Sequence, residues 1–456
     1  MAFLDDDTYL LTSEAARRIY KQIKDLPILD AHNHADVREI AENNHYTDIW
    51  QVEAATDHYV WELMRKRGVP ERLITGDATN KEKWMALAGI FEDLGGNPTY
   101  EWIHLDLKRR FGINDLINPT NAEEIWIKTK EMLEKDSMRP RAVLREMNVE
   151  VMCSTDDPID PLEHHEAMQD VEGMPAILPT WRPDKAMNIF KEDYPHYITK
   201  LSKRVQKEIS TVDDLVDALQ VTHDYFEDHG TKATDHGVRV PFGYEVSRDL
   251  ANAVFEKRMA GKVLEPGESR DFMSYMMHRF GEMNARSGWV MQIHIGAVRD
   301  YRDMLFNNLG TDTGGDISDH LVEIVSPLKD FLNAFDGKLK VVLYCLDPGH
   351  YPSLATIARA FGKNVNLGAA WWYNDSPVGM QRQLEYISSV DLLMNFAGMV
   401  TDSRKLMSYG SRTEMFRRVL SDVLGKMISK GMLPEHVATK IAIHACHAGP
   451  KELFGF

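Results

Sequence analysis

Cysteine is scarce in this chain. Three in 456 residues, Cys153, Cys345 and Cys446, are too few and too irregularly spaced for a disulfide framework or a thiolate metal cage, and they read as reduced thiols. Long apolar runs are absent too, which excludes a helix built to span a bilayer, and no low-complexity tract or fixed-period repeat breaks the sequence. Positive charge is in short supply. With 53 Lys and Arg against 70 Asp and Glu, the net charge of -17 argues against nucleic acid or an anionic membrane as partner. An anionic ligand would meet a repelling field, so a site for one must carry its own local positive charge. The first residues, Met-Ala-Phe-Leu-Asp-Asp-Asp, are acidic where a secretory signal is basic, and a cytoplasmic location is expected.

What is present fits a large globular enzyme. Hydrophobic residues make up 43% and charged residues 27%, ordinary proportions for a folded domain. Eight apolar or β-branched runs stand out, at 28–34, 149–155, 176–182, 232–238, 289–296, 340–346, 365–372 and 393–401. Segments with helical patterning separate most of them. Alternation of this kind predicts a parallel sheet, and eight strand-helix units close most economically into a barrel, a fold that with insertions can exceed 400 residues as one unit. The expected fold class is therefore α/β, a distorted (β/α)8 TIM-type barrel forming a single domain over 1–456. The first interval is anomalous: residues 40–147 lack strand-like runs and contain good helix formers, as in 123–135, which predicts a helical insertion after strand 1. Gly314-Gly315 marks a loop.

Chemistry-bearing residues gather at the ends of these runs, where the strands of such a barrel carry their catalytic groups. Asp30-Ala31-His32-Asn33-His34 closes the first run. Side chains two apart leave an extended strand on one face, so His32 and His34 can aim two imidazoles at one metal ion while Asn33 points away. Gln292 and His294 share a face at the end of the fifth run. After the eighth run, alternation puts Asp402 and Arg404 on one side, a pairing suited to a cation and an anion together. The third run ends in Arg182, a guanidinium able to grip a carboxylate through two bonds. Other histidines read as bystanders: His350 as a turn residue, His164 and His165 as rim or surface, and His444 and His447 as a surface helix end.

Seven ordered stretches carry a resemblance that covers nearly the whole chain. They are 30–34, Thr56-Asp57-His58-Tyr59-Val60-Trp61, Ser154-Thr155-Asp156-Asp157-Pro158, 179–184, 292–299, Trp371-Trp372-Tyr373-Asn374-Asp375 and 398–404. Together they resemble the uronate (glucuronate) isomerase family of the amidohydrolase superfamily. The resemblance implies a distorted barrel with one divalent metal, usually zinc; nitrogen and oxygen ligands accept manganese or cobalt as well. It also implies interconversion of D-glucuronate with D-fructuronate and of D-galacturonate with D-tagaturonate. By the same resemblance His32, His34 and Asp402 would be metal ligands, with His294 near or on the metal. Arg182, Arg404, His58, Tyr59 and the Trp371-Trp372 pair would line the substrate site. Two-metal members of the superfamily resemble one another in a bridging Lys or Glu at strand four and a His at strand six. Here the fourth run offers Asp235-His236-Gly237 and the sixth ends in Cys345-Leu346-Asp347, so one metal is expected. The tail departs from the family's usual Tyr- and Asn-containing segment.

The reaction so implied asks for these residue types. Moving a hydrogen from C2 to C1 by proton transfer needs a base at C2, stabilisation of an enediolate, and reprotonation at C1. Asp402 is the candidate base and proton carrier through a cis-enediol. Tyr59 or His58 would donate to the carbonyl oxygen or relay protons there, Arg404 or the metal would stabilise the oxyanion, and Arg182, then Arg404, would hold the C6 carboxylate. Hydride transfer is a competing route. The alternative function is a mononuclear zinc hydrolase acting on another small anion, with Asp402 as the base for a metal-bound water. A homo-oligomer is the expected assembly.

Overall fold

Residues 3–456 are described by the structure, a computed structural model. Seven of the eight apolar runs form parallel strands, because β-branched and apolar side chains on both faces suit a sheet covered on both sides. They are β1 (Ile28–Asp30), β2 (Val149–Cys153), β3 (Ala176–Leu178), β4 (Ala233–Val238), β5 (Val290–Ile295), β8 (Lys340–Cys345) and β9 (Val365–Leu367). Two short strands that the patterning did not announce, β6 (Ala297–Val298) and β7 (Ile317–Ser318), pair antiparallel beyond β5. The parallel strands pair in the order β1-β2-β3 and β4-β5-β8-β9. Single bridges, Asp156 to Trp181 and Trp181 to Thr234, connect the two sets.

The eighth run is not a strand. Leu393–Asn395 is a 3-10 turn, and residues 396–403 form no ladder, since Gly398 (φ 98°) and Asp402 (φ 49°) leave the β region. Individual hydrogen bonds seat this segment between β9 and β1 instead. Ala397 N–H donates to Leu367 O at 2.9 Å, Asp402 N–H to His32 O at 3.2 Å, and His34 N–H to Ser403 O at 3.0 Å. The Asp30 carboxylate stands in for a missing backbone acceptor, taking the Thr401 N–H at 2.9 Å. The parallel α/β class is as expected: two parallel sheets are joined by bridges, and an irregular segment in the eighth strand's place is hydrogen-bonded to β9 on one side and to β1 on the other.

Between β1 and β2 the chain forms helices joined by loops and no strand, as its composition predicts, from Val37–Glu42 to Pro140–Glu146, with Ala122–Leu133 where 123–135 was expected. Trp50, Trp84, Phe91 and Leu107 of this segment are fully or almost fully buried in one apolar cluster with Ile28, Val149 and Ile177 of the first three strands. Each such aliphatic or phenyl side chain contributes about 1.5–3 kcal/mol, so the insertion is fixed to the sheet rather than tethered to it. The long helix Ser408–Ser429 runs behind the irregular segment and packs on Glu14–Ile23. Cys153, Cys345 and Cys446 are buried and unpaired. Among the described residues no helix is long and apolar enough to cross a membrane.

Candidate active site

Strand ends bring the histidines together. β1 stops at Asp30, and the extended chain beyond it points both His32 and His34 at Asp402. His32 Nε2 lies 3.2 Å and His34 Nε2 3.3 Å from the same oxygen, Asp402 Oδ1. Burial raises the Asp402 carboxyl, but hydrogen bonds from His32 and His34 outweigh it and keep the group ionised well below the usual carboxylate range. His34, 28% exposed in its side chain, faces the opening, and burial pushes its imidazole down to about 4.

Asp235 is the residue that sequence reasoning passed over. β4 turns Asp235 inward and its neighbour His236 outward, against the Phe280 ring. Asp235 Oδ1 accepts from His294 Nδ1 at 2.6 Å, and Oδ2 lies 3.1 Å from Arg182 Nη1 and 3.7 Å from His32 Nδ1. Burial works against this charge, yet Arg182, then His32 and His294, hold the carboxyl well below its ordinary range. For His32 burial is likewise overcome, by Asp235 and then Asp402, and its imidazole is raised. The only sequence signal was the physical oddity of a lone acid in a buried strand, which must find a cation or a metal.

His294 sits on β5, stacked on Tyr344 with ring centres 4.2 Å apart. Burial lowers it to about 4, so the ring is neutral. With Nδ1–H committed to Asp235, its Nε2 carries a free lone pair, and that atom is buried without a partner. His32 Nδ1 is also buried without a hydrogen-bond partner, and Asp235 Oδ2 has only its ion pair with Arg182. Two overlapping groups of potential ligands share His32: His32, Asp235 and His294, and His32, His34 and Asp402, the ligand atoms within each lying inside 4.8 Å of one another. Imidazole and carboxylate donors with unsatisfied lone pairs fit a divalent first-row cation. The orphaned His294 Nε2 carries that fit, because a neutral imidazole so placed has no other partner.

The remaining expected residues surround this core. Asp57 caps the helix His58–Lys66 by accepting from the Tyr59 N–H, which fixes His58 and Tyr59 at the start of the helix. His58 stacks on Trp372 at 5.4 Å, and burial followed by the Arg404 charge lowers it to about 4. Trp371 packs on His294 at 4.6 Å, and the indole nitrogens of Trp371 and Trp372 are both buried and unpartnered. Arg299, the last residue of the 292–299 stretch and given no role there, covers the Trp372 ring at 4.7 Å.

The two expected arginines differ in commitment. Arg182 donates from Nε to Asp184 at 2.8 Å and faces Asp235; Gly237 leaves room for it, since a Cβ there would lie 2.2 Å from Arg182 Nη2. Arg404 has one partner, Asp312 Oδ1 at 3.2 Å, and is 26% exposed. Tyr59 hydrogen-bonds Asp375, a residue sequence reasoning placed in a motif without assigning it a role. Of the bystander histidines, His447 pairs with Glu150 at 2.7 Å and makes no joint site with His444. His165 is a correction: it is buried, not at the surface, because Ser154 Oγ at 2.8 Å and the nearby Asp156 give its imidazole polar company.

These features can be set beside known proteins. A profile of the glucuronate isomerase family matches residues 1–454. A uronate isomerase of Thermotoga maritima is 55% identical over 453 residues, 99% of each chain. The crystal structure of a uronate isomerase from that organism superposes with a TM-score of 0.97 at 54% identity, covering 100% of both chains. A glucuronate isomerase structure from Caulobacter crescentus reaches 0.95 at 26% identity, covering 99% of this chain and 97% of that one.

Proposed function

The chain belongs to the glucuronate isomerase family and is an isomerase of uronates, and from that premise we propose that its site interconverts D-glucuronate with D-fructuronate and D-galacturonate with D-tagaturonate by proton transfer through a cis-enediol. The observation that carries the mechanism is the Asp402 carboxylate, kept ionised between His32 and His34 at 3.2 and 3.3 Å. A carboxylate so held accepts the C2 proton and, on the same face of a planar enediol, returns it to C1. His32, His34 and Asp402, with His294 and Asp235 beside them, would hold one divalent cation, zinc or else manganese or cobalt. When bound, that ion would stabilise negative charge growing on the substrate oxygens.

Tyr59 and His58 would face the sugar oxygens, His58 held on the Trp372 ring at 5.4 Å and Tyr59 hydrogen-bonded to Asp375 at 3.0 Å. Trp371 and Trp372 supply an apolar wall and two N–H donors for hydroxyl groups. The C6 carboxylate is gripped by Arg404, the less committed guanidinium, while Arg182 contributes through its hold on Asp235. Local positive charge of this kind offsets the repelling field of a -17 protein. Three buried, unpaired cysteines agree with a reducing cytoplasm, and exposed Tyr301, Met304, Phe306 and Leu321 agree with a homo-oligomer.

Proton NMR of the protein with D-glucuronate in D2O, repeated with D-galacturonate and with a chelator, tests this reading. Ketose carrying deuterium at C1 is expected. Ketose without deuterium points to hydride transfer or a proton shielded from solvent, and no turnover of either sugar acid with metal supplied refutes the assignment.

A further inference from the structure

At the end of the strands away from the active site, where β1 begins at Ile28 and β2 follows Asn148, the chain leaves a cleft of about 400 Å³. That is room for a small molecule. The long helix Ser408–Ser429 lends it Thr413, Glu414 and Arg417, and the helix Pro98–Phe111 lends it Arg109 and Arg110. Its acids are all engaged. Glu414 accepts from Arg109 at 2.9 and 2.7 Å and from Arg418 at 2.9 Å, Glu146 lies 2.7 Å from Arg110, and Asp25 lies 3.6 Å from Lys24. Arg417 is the exception among the cations. It is 5% exposed, and its Nη1 and Nη2 donate to the carbonyls of Lys24 and Pro27 at 2.9 and 3.0 Å. Among the described residues no acid forms an ion pair with it, so the cleft keeps one positive charge more than its acids cancel.

Burial works against that charge, pulling the Arg417 guanidinium below its ordinary value, and a buried cation calls for an anion. Two hydroxyls share the cleft with it. Thr413, 6% exposed, is one of the lining residues, and its Oγ1 is buried without a hydrogen-bond partner. Tyr20 is another, its phenol pushed up to about 12 by burial and then by Glu414, and so kept as a donor. A guanidinium accompanied by hydroxyl donors is the chemistry that grips an oxyanion. We propose that this cleft is a second binding site, apart from the active site, for a small molecule bearing a phosphate or carboxylate group, with Arg417 as its counter-ion and Thr413 as a donor. The two carbonyl bonds account for Arg417 as a brace between the helix and the turn before β1. They do not account for a space of this size opening onto its uncancelled charge and onto an unsatisfied hydroxyl, and an oxyanion accounts for both.

Isothermal titration of the metal-loaded protein with inorganic phosphate and with acetate, at constant ionic strength, tests this. One anion per chain should bind in the millimolar range or tighter. A preference for phosphate points to a phosphate ester as the natural ligand and a preference for acetate to a carboxylate, and either supports the site. Arg417→Gln should weaken binding at least about tenfold, as for loss of a charge-assisted bond, whereas Arg404→Lys in the active site should leave it unchanged. Should Arg417→Gln not fold for want of its carbonyl bonds, Thr413→Val keeps the side-chain shape and removes the unsatisfied hydroxyl. It should raise Tm slightly and yet weaken binding at least about threefold, two opposite effects that a threonine serving the fold alone would not give. Three results would each overturn the proposal. They are no binding of either anion at millimolar concentration, an affinity unchanged in both Arg417→Gln and Thr413→Val, and an affinity lost in Arg404→Lys alone, which would place the anion in the active site.

Discussion

Replacing Asp235 by alanine tests whether this buried acid organises the histidine cluster. Its carboxylate is fully buried and faces Arg182 at 3.1 Å, His294 at 2.6 Å and His32 at 3.7 Å. The pair with Arg182 has a gross Coulomb energy of about 5 kcal/mol at an effective dielectric constant near 20, most of it spent against desolvation. Removing one member of a buried pair and stranding the other costs about 3–5 kcal/mol. Arg182 keeps Asp184 at 2.8 Å, which places the loss at the low end, about 3 kcal/mol. Spread over the unfolding entropy of 456 residues, that shifts the melting temperature by only about 3 °C. The larger effect is local. Without the acceptor on Nδ1, the His294 ring loses its fixed tautomer and orientation, and metal affinity should fall at least about tenfold. Thermal unfolding of chelated wild-type and Asp235→Ala protein, with metal content by mass spectrometry after reloading, measures both. A melting temperature and a metal content both equal to wild type would refute the assignment of Asp235 as organiser.

Three other outcomes follow from particular contacts. Burial raises the Asp156 carboxyl to about 7 from the ordinary 3.8, so its contribution to stability is fully present below about 3.8 and is lost as pH rises toward 7. The gap amounts to about 4 kcal/mol at most, and Asp156→Asn should flatten the difference in urea midpoint between pH 5 and pH 8; an unchanged slope contradicts the shift. A Cβ on Gly368 would lie 2.0 Å from Tyr344 Cε1, so Gly368→Ala should cost about 1–3 kcal/mol by overpacking. Since Tyr344 stacks on His294, kcat should fall as well, and wild-type kinetics would show that the stack yields freely. Arg404→Lys should raise KM for uronates more than kcat falls, whereas Arg182→Lys should lower the melting temperature; the reverse pattern would make Arg182 the carboxylate clamp.

Much of the site was legible because it is local. His32 and His34 could be paired from their spacing alone, since an extended chain repeats its side-chain direction every second residue, and both do reach Asp402. Gln292 and His294 share the inner face of β5 for the same reason, Gln292 bonding to Ala31 O and receiving the Tyr344 hydroxyl. Asp235 was invisible because its meaning lies in three residues from three other segments of the chain. Asp375 and Arg412 escaped similarly: the ion pair joins the end of the Trp371-to-Asp375 motif to a helix 37 positions on, and nothing in either stretch names the other. The 393–401 segment misled because apolar content mimics a strand, whereas the φ values of Gly398 and Asp402 are set by what they must fit between.

Periodicity, composition and motif order thus determined by themselves the parallel α/β class, the helical segment after β1, the histidine pair and the family, because each is written in neighbouring residues or in their sequence order. Only the tertiary structure decided that the segment between β9 and β1 is held to each by single hydrogen bonds instead of a ladder. It also placed His294 Nε2 without a partner, neutralised Arg182 with two acids while leaving Arg404 nearly free, and turned the Tyr59 proton toward Asp375. These are properties of distance and burial among residues far apart in the chain, and such relations arise only when the packing is complete.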